Sequence, residues 1–118
     1  MSVRRVVPDI TTDAMAESRD FYALLGLGEV MNHGSLITLA SPVNPTAQIT
    51  LTTQDASAAV QPDVSVEVED VDAVHAAMLA AGAEVVRPLQ DEEWGVRRFF
   101  VRDPNGTVVN VLSHRHGG

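Results

Sequence analysis

The element order of this chain runs through twice. Apolar periodicity predicts a strand, a helix and three strands, then the same series again at a spacing of about sixty residues. The duplication sets the class as α+β: a single domain over 1–118 with two βαβββ modules, residues 1–53 and 62–116. Thr53–Gln61 loses all periodicity and leaves a linker at about 54–61.

In the first module, Val3–Thr11 is apolar and β-branched and reads as a strand, with Pro8 marking an irregularity or an edge. Thr12 and Asp13 supply an N-cap, and Glu17 suits the positive end of a helix dipole. Ser18, Phe21, Tyr22 and Leu25 fall on one helix face, which Gly26 and Gly28 terminate. Short strands follow at Glu29–His33, Ser35–Ala40 and Ala47–Thr52, with turns at Gly34 and Ser41-Pro-Val-Asn-Pro45.

In the second module, Asp63–Glu69 alternates strictly. Val64, Val66 and Val68 face one way; Asp63, Ser65, Glu67 and Glu69 face the other. Asp70 caps a second helix whose apolar face is Val71, Val74, His75, Met78 and Leu79, and Gly82 ends it. Covering that stripe takes the valines, so Asp63, Ser65 and Glu67 are left for the opposite side of the sheet. Glu84–Leu89 is the next strand. Asp103-Pro-Asn-Gly106, between Val96–Arg102 and Thr107–Ser113, predicts a hairpin. If its turn holds an even number of residues, Arg97, Phe99 and Val101 share a face with Val108, Asn110 and Leu112.

Composition removes several function classes. A hydrophobic content of 45% argues for a globular fold. No apolar run approaches the ~20 residues needed to span a bilayer, and the N-terminus lacks a long apolar stretch, so no membrane partner and a cytoplasmic location are expected. The absence of cysteine excludes disulfides, thiolate zinc sites and cysteine nucleophiles. A net charge of −8 disfavours nucleic acid. The same charge would attract a cationic small molecule, and it also serves plain solubility. Asp63 and Glu67 stand roughly 13 Å apart along a strand, too far to share a proton.

Several stretches resemble a known group. Ser18-Arg-Asp-Phe-Tyr-Ala-Leu-Leu-Gly, Trp94-Gly-Val-Arg97, Phe99 and the Asp103–Gly106 turn resemble the vicinal oxygen chelate superfamily of glyoxalases, extradiol dioxygenases and bleomycin-resistance proteins. The Trp-Gly-x-Arg-x-Phe form looks most like the metal-free bleomycin-resistance branch. The resemblance implies curved sheets, helices on their outer side and a ligand cleft within. It also implies four strand positions that hold a divalent metal in the enzymes. Here they fall on Val7, Thr50, Asp63 and Asn110. Val offers no lone pair and Thr and Asn are weak neutral donors, so no metal and no cofactor are expected.

The same resemblance implies a homodimer that captures a small molecule such as a cationic or aromatic antibiotic or metabolite. Trp94 and Phe99 would supply aromatic faces, and Asp63 and Glu67 negative charge, with Asp91–Glu93 nearby. Arg97 would meet an anionic group of the ligand or pair with an acid such as Glu92 or Glu67; Trp94 would otherwise staple a core or a dimer interface. The alternative is a lyase- or dioxygenase-like enzyme, with a divalent metal or with Asp63 as base.

Overall fold

The computed structural model describes residues 2–53, 59–93 and 95–114. Trp94 and linker residues 54–58 lie outside them. The element order is β1(Val3–Thr11), α1(Met15–Leu24), β2(Gly28–Asn32), β3(Leu36–Ala40), β4(Gln48–Thr52), then β5(Val64–Val68), α2(Val71–Ala80), β6(Val85–Asp91), β7(Val96–Arg102) and β8(Val108–His114). The fold is therefore α+β with the βαβββ unit present twice.

The chain divides into two compact units. The first runs Val7–Gln61; the second takes in Val6 and the residues before it together with Pro62 and the residues after it. β1 thus serves both. In the first unit the strand order is β2-β3-β4-β1, with β4 parallel to β1 and Asp9 opposite Thr50. In the second, β5-β8-β7-β6 are neighbours, β5 parallel to β8 and the rest antiparallel. There the backbone N–H of Glu69 reaches the Ser2 carbonyl, and Arg5 pairs with Glu67.

Each helix covers one face of its own sheet. Ile37, Leu39 and Leu51 are buried in the first unit, with Ile10, Met15 and Tyr22 packed on them. The second unit buries Val68, Val71, Val74, Phe99, Val101 and Val111, with Val66 and Met78 against them. The valines of β5 face α2, as their alternation requires. Asp70 caps α2 through a 3.1 Å bond from the Ala73 N–H. The first helix differs from expectation. Its N-cap is Ala14 with no side-chain cap, and the Thr12 hydroxyl instead takes the Ala14 N–H. Phe21 and Leu25, expected on its buried face, are exposed.

The hairpin forms with β7 at its expected bounds, but its parity is reversed. Arg102 pairs with Val108, so the turn holds Asp103–Thr107, an odd number. The Asp103 carboxylate explains the extra residue: it accepts the N–H groups of both Asn105 and Thr107, while the Asp103 N–H donates to the Thr107 carbonyl. Phe99 therefore stands opposite Val111, and Phe100 opposite Asn110. The residues expected beside Asn110 lie on the other face.

Candidate functional site

The two faces of the second unit's sheet are chemically different. Toward α2 it is apolar, and Phe99 is fully buried there with its ring edge-on to His75 at 4.8 Å. Arg97 shares that side. It is held by Asp72 in the first turn of α2 and by Asp91, rather than by Glu92 or Glu67. The hydrogen bond from Arg97 outweighs the effect of burial and lowers the Asp72 carboxyl pKa, while the same bond to Asp72 raises that of Arg97. Neither Phe99 nor Arg97 reaches the face that carries Asn110.

The opposite face mixes buried apolar side chains with polar and charged ones. One row crosses four strands in register: Arg87 on β6, Phe100 on β7, Asn110 on β8 and Ser65 on β5. The next row is Gln90, Arg98, Leu112 and Glu67. Phe100 is fully buried, with the Arg98 guanidinium 4.9 Å and that of Arg87 5.6 Å from its ring centre. Glu92, just past the end of β6, joins the two arginines: one carboxylate oxygen lies 2.7 Å from Arg87 and 3.0 Å from Arg98. Burial pushes the Glu92 carboxyl up, but the two guanidinium bonds outweigh it and hold it below the ordinary value.

Asn110 is the most informative member of these rows. Its side chain is only 7% exposed, and its Nδ2 donates to Ser65 Oγ at 3.0 Å. Its Oδ1 is buried and accepts no hydrogen bond. A buried carbonyl without a donor costs about 1–3 kcal/mol. Asp63 precedes β5 and is exposed rather than desolvated. Its N–H bonds to the Val108 carbonyl, and its carboxylate accepts the Val108 N–H at 3.3 Å. Glu67 is half-buried and engages Arg5 and His114. In the first unit, β1–β4 register puts Val7 and Thr50 on the face turned from α1, with Val7 buried. Trp94, the remaining expected site residue, lies outside the described residues.

A family profile described as Glyoxalase/Bleomycin resistance protein/Dioxygenase superfamily matches residues 4–111. The chain belongs to that superfamily. Solved structures agree on the fold. A superfamily member from Vibrio splendidus 12B01 aligns with a TM-score of 0.69 at 16% identity, covering 95% of this chain and 99% of that one. Methylmalonyl-CoA epimerase from Mycobacterium tuberculosis gives 0.65 at 19%, covering 95% and 87%. The Mn(II)-bound glyoxalase from Novosphingobium aromaticivorans gives 0.60 at 23%, covering 94% of this chain but 38% of the other. No curated protein matches the chain in sequence.

The four residues that the resemblance assigns to a metal make a poor donor set for a divalent cation. Val7 has no lone pair. Asn110 is a neutral amide, Thr50 a neutral hydroxyl, and the Asp63 carboxylate is already a hydrogen-bond acceptor for the Val108 N–H. Among the described residues no three His, Asp or Glu side chains gather where an ion could sit. Sequence reasoning placed Ser65 on this face but missed Arg87, Arg98 and Phe100. The available signal was Asp103 with Thr107 four residues on, a spacing that closes an odd turn and brings Phe100 and Arg98 to the side of Asn110.

Proposed function

We propose that the protein binds a small molecule without a metal, on the sheet face of the second unit turned away from α2. In this reading it sequesters a cationic or aromatic metabolite or antibiotic and does not transform it. The observation that supports it is the polar groups buried on that face: Arg98 and Asn110 lie there among apolar side chains, and one amide oxygen has no donor. A face built for stability alone would be filled as the α2 side is, because burying polar groups opposes folding.

Asn110 Oδ1 calls for an N–H or O–H, and a neutral acceptor with Glu67 in the adjoining row suits a protonated amine better than a carboxylate. Phe99 and Phe100 are both fully buried, so neither offers a ring face to a ligand. The enzymatic alternative, lyase or oxidoreductase chemistry with Asp63 as base, has less behind it. That carboxylate is exposed and bonded to a backbone N–H, which suits an anchor for strand β5.

Titration calorimetry in EDTA with bleomycin and a panel of aromatic amines tests the proposal, alongside elemental analysis of protein purified without chelator. Binding is expected to survive EDTA and to weaken about tenfold or more in Asn110→Leu. One tightly held divalent ion per chain, with binding lost on its removal, would overturn it.

A further inference from the structure

The Asn110 amide can show a ligand either of two faces. Its oxygen accepts and its nitrogen donates, and half a turn about the last side-chain bond exchanges them with little change of shape. The neighbours decide which one is displayed. Along β8 the flanking residues on this face are Val108 and Leu112, both buried and apolar. Opposite on β7 stands Phe100, which is fully buried. Opposite on β5 stands Ser65, whose Oγ accepts a hydrogen bond from Asn110 Nδ2 at 3.0 Å. Among the described residues Ser65 is the amide's one hydrogen-bond partner. With the nitrogen engaged there, the oxygen stays buried without a donor. On the reading that this face binds a small molecule, we infer that Ser65 is a positioning residue: its hydroxyl holds the Asn110 amide with the oxygen toward the ligand, which admits a hydrogen-bond donor at that point and rejects an acceptor.

The charged groups of these rows leave that choice open. Arg87 and Arg98 stand against Glu92 and Glu67, so their signs offset one another and discriminate weakly between an amine and a carboxylate. The amide discriminates by direction instead. An amine brings an N–H to Oδ1 and satisfies it. A carboxylate brings lone pairs to lone pairs, leaves the buried oxygen without a donor and adds a second group in the same condition. Mispairing of this kind separates two ligands more sharply than a change in apolar bulk does. Remove the Ser65 hydroxyl and neither orientation of the amide is preferred by the chain. The nitrogen can then turn outward to meet an acceptor, and the selectivity falls.

Two measurements on the full chain test this. The first needs no ligand: solvent exchange of the Asn110 side-chain NH₂ protons, followed by NMR. It is expected to speed up about tenfold or more in Ser65→Ala and to return to the wild-type rate in Ser65→Thr, which keeps the hydroxyl. The second is calorimetry with benzylamine and benzoate, an amine and a carboxylate of similar size. The ratio of their affinities, amine over carboxylate, is expected to fall about tenfold in Ser65→Ala and to hold in Ser65→Thr. Ser65→Val removes the hydroxyl while filling its space, and gives the same answer where alanine loosens the sheet. A hydroxyl that only steadied the strand would weaken both probes alike and leave the ratio unchanged, and that result overturns the inference. So does an exchange rate indifferent to the loss of the hydroxyl. A wild-type chain that binds neither probe counts against the binding role of the face, while exchange in the unliganded chain still decides whether Ser65 holds the amide.

Discussion

The two helices occupy equivalent places in the repeat and are held in opposite ways. α2 buries Val71 and Val74 and is tied down at its start by three side chains. Asp70 caps Ala73, Ser113 Oγ accepts the Val71 N–H while donating to the Val68 carbonyl, and Arg97 grips Asp72. α1 buries no residue, has no side-chain cap at its N-cap position, and shows Phe21, Leu24 and Leu25 to the outside. Duplication preserved the strand–helix–strand order but not the distribution of apolar surface. One copy spends its helix on its own core, and the other keeps much of it on the surface. The stability of the fold should therefore be concentrated in the second unit.

The largest test of this contrast is Phe99→Ala, which is expected to cost about 3–5 kcal/mol in urea unfolding because the ring fills the centre of the α2 core. Phe21→Ala should cost less than about 1 kcal/mol. Equal costs would break the comparison. Next comes Glu92→Gln, expected to cost about 2 kcal/mol by leaving Arg87 and Arg98 without their shared carboxylate.

The Glu92 effect carries a pH signature. Its folded pKa lies below the ordinary value of 4.5, so its stabilising contribution is complete above that value and disappears as pH falls through the depressed folded value. Acid titration of stability should be flatter in Glu92→Gln. Smaller again is Asp70→Ala, about 1 kcal/mol, set against a lesser loss for Thr12→Ala, since the Thr12 hydroxyl bonds the Ala14 N–H that precedes the helix and the Ser18 hydroxyl, but no N–H within the first turn. Last, Asp72→Asn should cost only a few tenths of a kcal/mol, because the Arg97 pair is exposed and screened; thermal melts at low and high salt would resolve it.

Much of the fold was legible in the chain because local signals and tertiary needs agree there. The alternation of β5, the Asp70 cap and the bounds of β7 follow from side-chain period and capping chemistry. The candidate site was half legible. Asn110 and Glu67 lie on the expected face, but Phe99 and Arg97 do not, because a single carboxylate at Asp103 adds a residue to the turn and inverts parity. β6 hid its contribution for a related reason. Its register slips twice against β7, so no clean alternation announces that Arg87 and Gln90 point to the side of Asn110. The outward side chains of α1 were not legible at all: their spacing is that of a buried stripe, and periodicity does not say which surface a stripe covers.

The divided allegiance of β1 bears on any attempt to cut the protein into its repeats. Severing the chain at the linker would strip the later repeat of Ser2, which receives the Glu69 N–H, and of Arg5, the counter-ion of Glu67. A fragment beginning at Pro62 would bring a half-buried acid to its sheet without the cation that balances it, so the natural excision point is not where the sequence symmetry suggests.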